Sequence, residues 1–211
     1  MNRAFEDVFG IPGAFDGIPM AGRTDTGILE DGALKAGVDL AGGNLQRFRD
    51  RYLVRLAEAL LESPPLPSAH YGILPGVQRL LEVIAARDDI FPALLTGNCE
   101  EGARIKLQHF DLWRFFRCGA FGDDTVERNH LFAVAIERAL ACGAPSVPVR
   151  DIIVVGDTVL DVACAKAAGA RSVAVATGPS DVGTLRSAGA DVVVEDLTDT
   201  EGFLMLLDVQ I

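Results

Sequence analysis

One stretch constrains this chain more than any other: I-I-V-V-G-D-T-V-L-D-V-A-C-A-K-A-A-G-A-R-S-V-A-V-A-T-G, residues 152–178. Two short apolar runs without polar alternation read as strands buried on both faces. Between them lies a helix of small side chains, stopped by Gly169 and able to lie close on a sheet. A strand, a helix and a second strand in that order make a parallel crossover unit. The unit predicts an α/β protein in which the first strand delivers Asp157 to the sheet rim and Asp161 follows in the first helical turn.

The pattern extends to both sides of this unit. Helices are expected from Pro75–Gly76 to about Ala86, from Glu100 to about Phe110, from His130 to Cys142, from Thr158 to Ala168 and from Val182 to Ala188. They alternate with strands Phe91–Leu95, Ile152–Val155, Ser172–Ala176 and Val192–Val194, while Cys118–Asp124 reads as turns. The expected fold is therefore a Rossmann-like parallel sheet with helices on both faces.

The first third has a different texture. Phe5, Val8 and Phe9 share a helical face, Ile28, Leu29 and Leu34 recur after Thr24, and Asn44 to about Leu61 carries a long amphipathic pattern through Phe48 and Tyr52. Nothing in it reads as a strand. S-P-P-L-P-S at 63–68 then interrupts the helices with prolines that hold the chain extended, so a hinge is expected there. The predicted organisation is a helical domain over 1–66 and an α/β domain over 67–211.

Charge and cysteine usage narrow the function. A net charge of -11 with no Lys/Arg stripe opposes binding to nucleic acid. No apolar run approaches the roughly 20 residues of a membrane helix, and the N-terminus lacks the apolar core of a signal peptide. The four cysteines form no C-x-x-C pair, so reduced thiols in a cytoplasmic protein are expected rather than zinc or disulfides. Trp113, Phe115 and Phe116 are assigned to packing, and the three histidines show no ligand spacing.

In open parallel sheets ligands bind at the carboxyl ends of strands. L-L-T-G-N ends there with the Thr96 hydroxyl, with Gly97, whose backbone can approach an oxyanion, and with Asn98. Asn98 with Glu101 equally fits a helix capping box. Asp157 and Asp161 can face one hard cation, since magnesium takes one or two carboxylates and keeps waters and phosphate elsewhere. The alternative is that Asp157 caps the helix and Asp161 complements its dipole. Arg23 in A-G-R-T-D suits a substrate anion or is a surface arginine beside a Thr24 or Asp25 cap. Lys106, taken alone, is a solvated helix lysine.

Taken together, L-L-T-G-N, Lys106 and G-D-T-V-L-D resemble the second, third and fourth motifs of the haloacid dehalogenase superfamily. The helical first segment and A-G-R-T-D are most similar to its phosphoglycolate-phosphatase-like members with a helical cap. The resemblance implies a magnesium-dependent phosphatase acting on a small phosphorylated metabolite through an aspartyl-phosphate. It implies that Thr96 bonds the phosphoryl group, Lys106 neutralises its charge, Asp157 and Asp161 hold magnesium, and Gly97, Asn98 and Arg23 contact substrate. A phosphosugar mutase and a catalytically inactive phosphate-binding protein are the alternatives. The family's first motif, D-x-D-G-T at the end of a central strand, does not occur, and Phe15–Asp16–Gly17 lacks the flanking residues to replace it. Two sheet edges are therefore expected to face each other without a strand between them, and Met1 is expected to be an internal methionine about 15 to 25 residues after the natural start.

Overall fold

A computed structural model describes residues 1–62 and 72–208. The expected hinge at 63–68, the 66/67 boundary and His70 lie outside the described residues.

Residues 1–62 are helical, as their periodicity predicts: α1 (Asn2–Phe9), α2 (Asp25–Ala36) and α3 (Asn44–Glu62). The Thr24 side chain caps α2 by accepting from Gly27 N at 3.1 Å, and Gly10 and Gly37 end α1 and α2 in left-handed conformations. Interlocked rings form the core here. Phe5 meets Phe15 edge-on at 5.4 Å and Phe9 at 4.6 Å, and Phe48 stacks parallel to Tyr52 at 6.0 Å. Gly32 sits inside α2 because the Phe15 ring presses on its backbone, where a Cβ would come within 2.3 Å of the ring. The buried stripe of α2 is Ile28, Leu29, Gly32 and Ala33. Leu34 lies about 100° further round the helix and is 82% exposed. Leu61, near the end of α3, is likewise 80% exposed rather than part of the apolar face its spacing suggested.

The remaining elements alternate as the sequence predicts: α4 (Val77–Ala85), β1 (Leu94–Leu95), α5 (Glu100–His109), β2 (Gly119–Ala120), α6 (Leu131–Ala141), β3 (Ile153–Gly156), α7 (Val159–Ala168), β4 (Arg171–Val175), α8 (Val182–Ser187), β5 (Val192–Val194) and α9 (Thr200–Asp208). Strand pairing is parallel throughout. On β4, Val173 packs with Leu80, Ile84 and Phe203 from α4 and α9, while Ala174 packs with Val162 and Leu185 from α7 and α8. That period-two alternation puts helices on both faces of the sheet.

Three elements depart from expectation. The strand expected over Phe91–Leu95 shrinks to two residues, since Pro92 has no N–H for a ladder. Cys118–Asp124, read as turns, contains β2, whose Gly119 and Ala120 pair with Leu94 and Leu95. Helix α9 was not anticipated; its start is held by Asp199, which accepts from Gly202 N at 2.9 Å.

Among the described residues the strands form two sheets, β1-β2 and β3-β4-β5, with no pairing between β1 and β3. The sheets nevertheless share a core, because Leu95 of β1 packs against the cluster of Val154, Phe132 and Cys164. No described helix is long and apolar enough to cross a membrane. The four cysteines are free.

Candidate active site

The two strands that bound the break, β1 and β3, aim their carboxyl ends at one cavity of about 1000 Å³. Arg23, Thr96, Gly97, Asn98, Lys106, Asp157 and Asp161 all line it. Strand β1 delivers Thr96, whose N–H continues the ladder to Ala120 O at 3.0 Å and whose Oγ1 accepts from Asn98 N at 3.2 Å. The Asn98 carboxamide accepts from Lys106 Nζ at 2.8 Å, nearly two helical turns into α5. The capping-box alternative for Asn98 is not realised. Cys99 is the N-cap of α5, and the first amides of that helix are met from outside: Asp25 Oδ2 accepts from Cys99 N and Asp123 Oδ2 from Glu100 N, both at 2.9 Å.

At β3 the two aspartates have different surroundings. Thr158, not Asp157, is the N-cap of α7, and Asp161 completes a capping box with it. Asp161 Oδ2 accepts from Asp157 N (3.1 Å), Thr158 N (3.0 Å) and Thr158 Oγ1 (2.8 Å), while Oδ1 is bound by Arg128 Nη2. Both Asp161 oxygens are thus taken by protein donors, and the residue is 6% exposed. Asp157 is half-buried, and its side chain accepts no hydrogen bond from another described side chain. Burial, reinforced by the neighbouring Asp161 charge, holds its carboxyl above the usual carboxylate range. A half-buried anion facing a cavity beside a second carboxylate is suited to a hard cation, and one or two such ligands suffice for magnesium. Asp157 is the group that would hold it, with Asp161 fixing the loop behind. Among the described residues no cluster of three or more His, Cys, Asp or Glu side chains offers another metal site.

Arg128 was missed by the sequence reading because a lone arginine in E-R-N-H carries no motif. It sits on a single 3-10 turn (Arg128–His130) ahead of α6, lines the cavity with a side chain only 13% exposed, and leaves its Nε buried without a partner. A buried guanidinium with an unspent donor beside a cavity is a ready anion ligand. Arg23 is the opposite case. Its guanidinium donates to Pro19 O (3.2 Å) and Gly27 O (3.3 Å) and pairs with Asp31 at 2.7 Å, so it braces the loop ahead of α2.

That loop and the start of α2 lie directly on the β-strand ends. Asp25 N donates to Gly97 O at 2.6 Å, Thr26 Oγ1 to Gly122 O at 2.6 Å and Thr24 Oγ1 to Val126 O at 2.8 Å. Gly97 is required by the same contact, since a Cβ there would lie 2.0 Å from Arg23 O. Burial also raises the Asp25 carboxyl above its ordinary range. The helical segment therefore roofs a polar floor made by 96–98, Lys106, Arg128 and 157–161.

Comparison with known proteins bears on this arrangement. A model of the family described as "HAD-hyrolase-like" matches residues 128–200, from Arg128 through the Asp157–Asp161 loop to the start of α9. A hydrolase from Pseudomonas syringae superposes with a TM-score of 0.65 at 21% identity, covering 97% of this chain and 90% of that one. The chain has the haloacid dehalogenase-like fold. Two further structures of this fold are a predicted phosphoglycolate phosphatase from Haemophilus somnus 129pt (TM-score 0.64, 17% identity, 96% of this chain and 88% of that one) and CbbY from Rhodobacter sphaeroides in complex with phosphate (0.65, 17%, 94% and 87%). None of the curated proteins matches the sequence. At the level of the family, the haloacid dehalogenase-like match is to hydrolases, with phosphatases among the structural neighbours.

Proposed function

We propose that this protein is a magnesium-dependent phosphomonoesterase of the cytoplasm, with residues 1–66 as a cap over an α/β core at 67–211. The observation that carries the reading is the single cavity in which Thr96, Lys106, Arg128 and Asp157 meet at the ends of β1 and β3. Lys106 and Arg128 supply positive charge for a phosphate and its developing oxyanions, and the 96–98 loop supplies a hydroxyl and backbone amides. Thr96 orients the phosphoryl group, and Asn98 holds the Lys106 ammonium toward it. Magnesium held by Asp157 would add Lewis-acid neutralisation of phosphate charge. Asp161 acts through its bonds to the 157–158 amides and to Arg128, keeping both facing the cavity.

The attacking carboxylate is not among these groups. In this reading it belongs to a strand seated between β1 and β3, each of which has a free edge among the described residues. In-line attack by that aspartate on phosphorus expels the alcohol, and water then cleaves the aspartyl-phosphate. The test compares hydrolysis of p-nitrophenyl phosphate with magnesium by residues 1–211 and by a chain carrying an added N-terminal strand ending in D-x-D-G-T. Turnover by the extended chain alone is expected. Turnover by neither chain, with phosphate still bound, makes the protein a phosphate-binding module. Transfer between positions of a phosphosugar without phosphate release makes it a mutase.

A further inference from the structure

Away from the cavity, the fold brings together two thiols that the phosphatase reading does not use. Cys118 stands just ahead of β2, and Cys142 caps the end of α6, the helix that packs on that strand through Ala120, Leu131 and Ala135. The last turn of α6 is fastened to both chain neighbours of Cys118. The Cys142 thiol donates to Arg117 O at 3.9 Å, and Arg138 Nη1 donates to Gly119 O at 2.8 Å. Between these two anchors the Cys118 and Cys142 thiols lie within reach of each other. Cys142 is exposed and Cys118 half-buried, whereas Cys99 and Cys164 are buried. The two thiols that solvent reaches are therefore the two that are neighbours.

We propose that Cys118 and Cys142 are a reversible dithiol site, converted to a disulfide in the folded protein by exchange with a small-molecule disulfide such as oxidised glutathione. The exposed Cys142, as its thiolate, attacks one sulfur of the oxidant and expels the other, leaving a mixed disulfide. Cys118 then attacks the Cys142 sulfur and releases the second small thiol. Two protein thiols become one disulfide, the oxidant's disulfide is reduced to two thiols, and the two protein protons end on those thiols. Burial and the contact with Cys142 push the Cys118 thiol up to about 11, which makes it the second to react. In a reducing compartment both thiols stay free, so the bond reports an oxidising change. The closed loop would run from Cys118 through Gly122 and Arg128 to Cys142, and Gly122 N donates to Asn98 O at 2.7 Å. Cross-linking thus stabilises the chain behind the floor, and it blocks nothing in the cavity, which no cysteine lines.

The test incubates the reduced 211-residue chain with oxidised glutathione under native conditions. Thiols titrated after denaturation should fall from four to two. Mass spectrometry of the digest should show the Cys118 and Cys142 peptides joined. The melting temperature should rise by roughly 5 to 10 °C, the scale expected for closing a loop of this length, and dithiothreitol should reverse the change. Cys118→Ser should stop at a glutathione adduct on Cys142, and Cys142→Ser should leave Cys118 unreacted. Should either variant misfold by circular dichroism, the wild-type results still decide. A lasting adduct on wild-type Cys142 with Cys118 free, a bond to Cys99, to Cys164 or between two chains, or no reaction at all overturns the proposal. A Cys118 to Cys142 bond that leaves the melting temperature unchanged or lowers it does the same.

Discussion

The helical segment and the strand-bearing segment are held together by different means. In residues 1–62 five aromatic rings from α1, α3 and the loop at Phe15 form one continuous cluster, and its polar groups lie mostly outside. Beyond residue 72 the core is divided into four smaller clusters of Ala, Val, Leu and Cys with few rings, spread over two sheets that do not pair. Order at the mouth of those sheets comes from carboxylates instead: Asp25 and Asp123 on α5, Asp161 on the 157–158 amides and Arg128. One segment gets its shape from packing, and the other gets its site from polar bonds.

The comparison is broken most directly at Phe5, which is fully buried at the centre of the ring cluster. Phe5→Ala should lower stability by about 4 kcal/mol, read as a shift in urea midpoint, because three neighbouring rings lose their partner around a cavity they cannot close. A shift below about 1 kcal/mol would mean that the rings are loosely packed and that the contrast is false.

The matching test in the strand-bearing segment is Asp161→Ala. It strands the Arg128 guanidinium, whose Nε already has no partner, and frees two backbone amides in a buried place. About 3 kcal/mol of stability should be lost, together with inorganic phosphate binding measured by calorimetry. Asp161→Asn keeps an acceptor for the amides and should lose less stability while still loosening Arg128. If Asp161→Ala left both stability and phosphate affinity unchanged, the polar bonds would be incidental to the site.

How much of this was legible in the sequence follows the same division. The α/β alternation was readable because strands such as Val192–Val194 are uniformly apolar, and the Asp157 loop because a strand, an acid and a small-residue helix occur in series. Thr96, Asn98 and Asp157 were located by their place at strand ends, which fixes where a side chain emerges, and Lys106 only through the family resemblance. Partners were not legible. Nothing local says that Asp25, 74 residues away, would meet the amide of Cys99, that Arg128 would bind Asp161, or that Arg23 would fold back on Asp31. Those pairings depend on how the roof settles on the floor. Strand β2 was missed because Gly119–Ala120 is too short to show a period, and helix α9 was missed although Asp199 and Glu201 mark its start.

The smallest expected effect has the opposite sign and separates a carboxylate kept for stability from one kept for chemistry. Asp157 has its pKa raised by burial and by Asp161, so the folded state binds its proton more tightly than the unfolded chain does. A carboxylate raised in this way lowers stability as pH rises from its unfolded value through its folded one, and the penalty is complete above the folded value. Asp157→Asn removes the ionisation. It should therefore stabilise the protein at pH 7, by no more than about 1 kcal/mol after solvent screening, and the gain should vanish as pH falls below the unfolded carboxylate range. Magnesium is expected to raise the melting temperature of the wild type, and the same variant should lose that increase. Thermal melts at pH 7 and at about pH 3, below the unfolded carboxylate range, with and without magnesium chloride, read both effects. A variant less stable than wild type at pH 7 would show that Asp157 is held by bonds like those of Asp161, and would place it with the structural carboxylates of the floor.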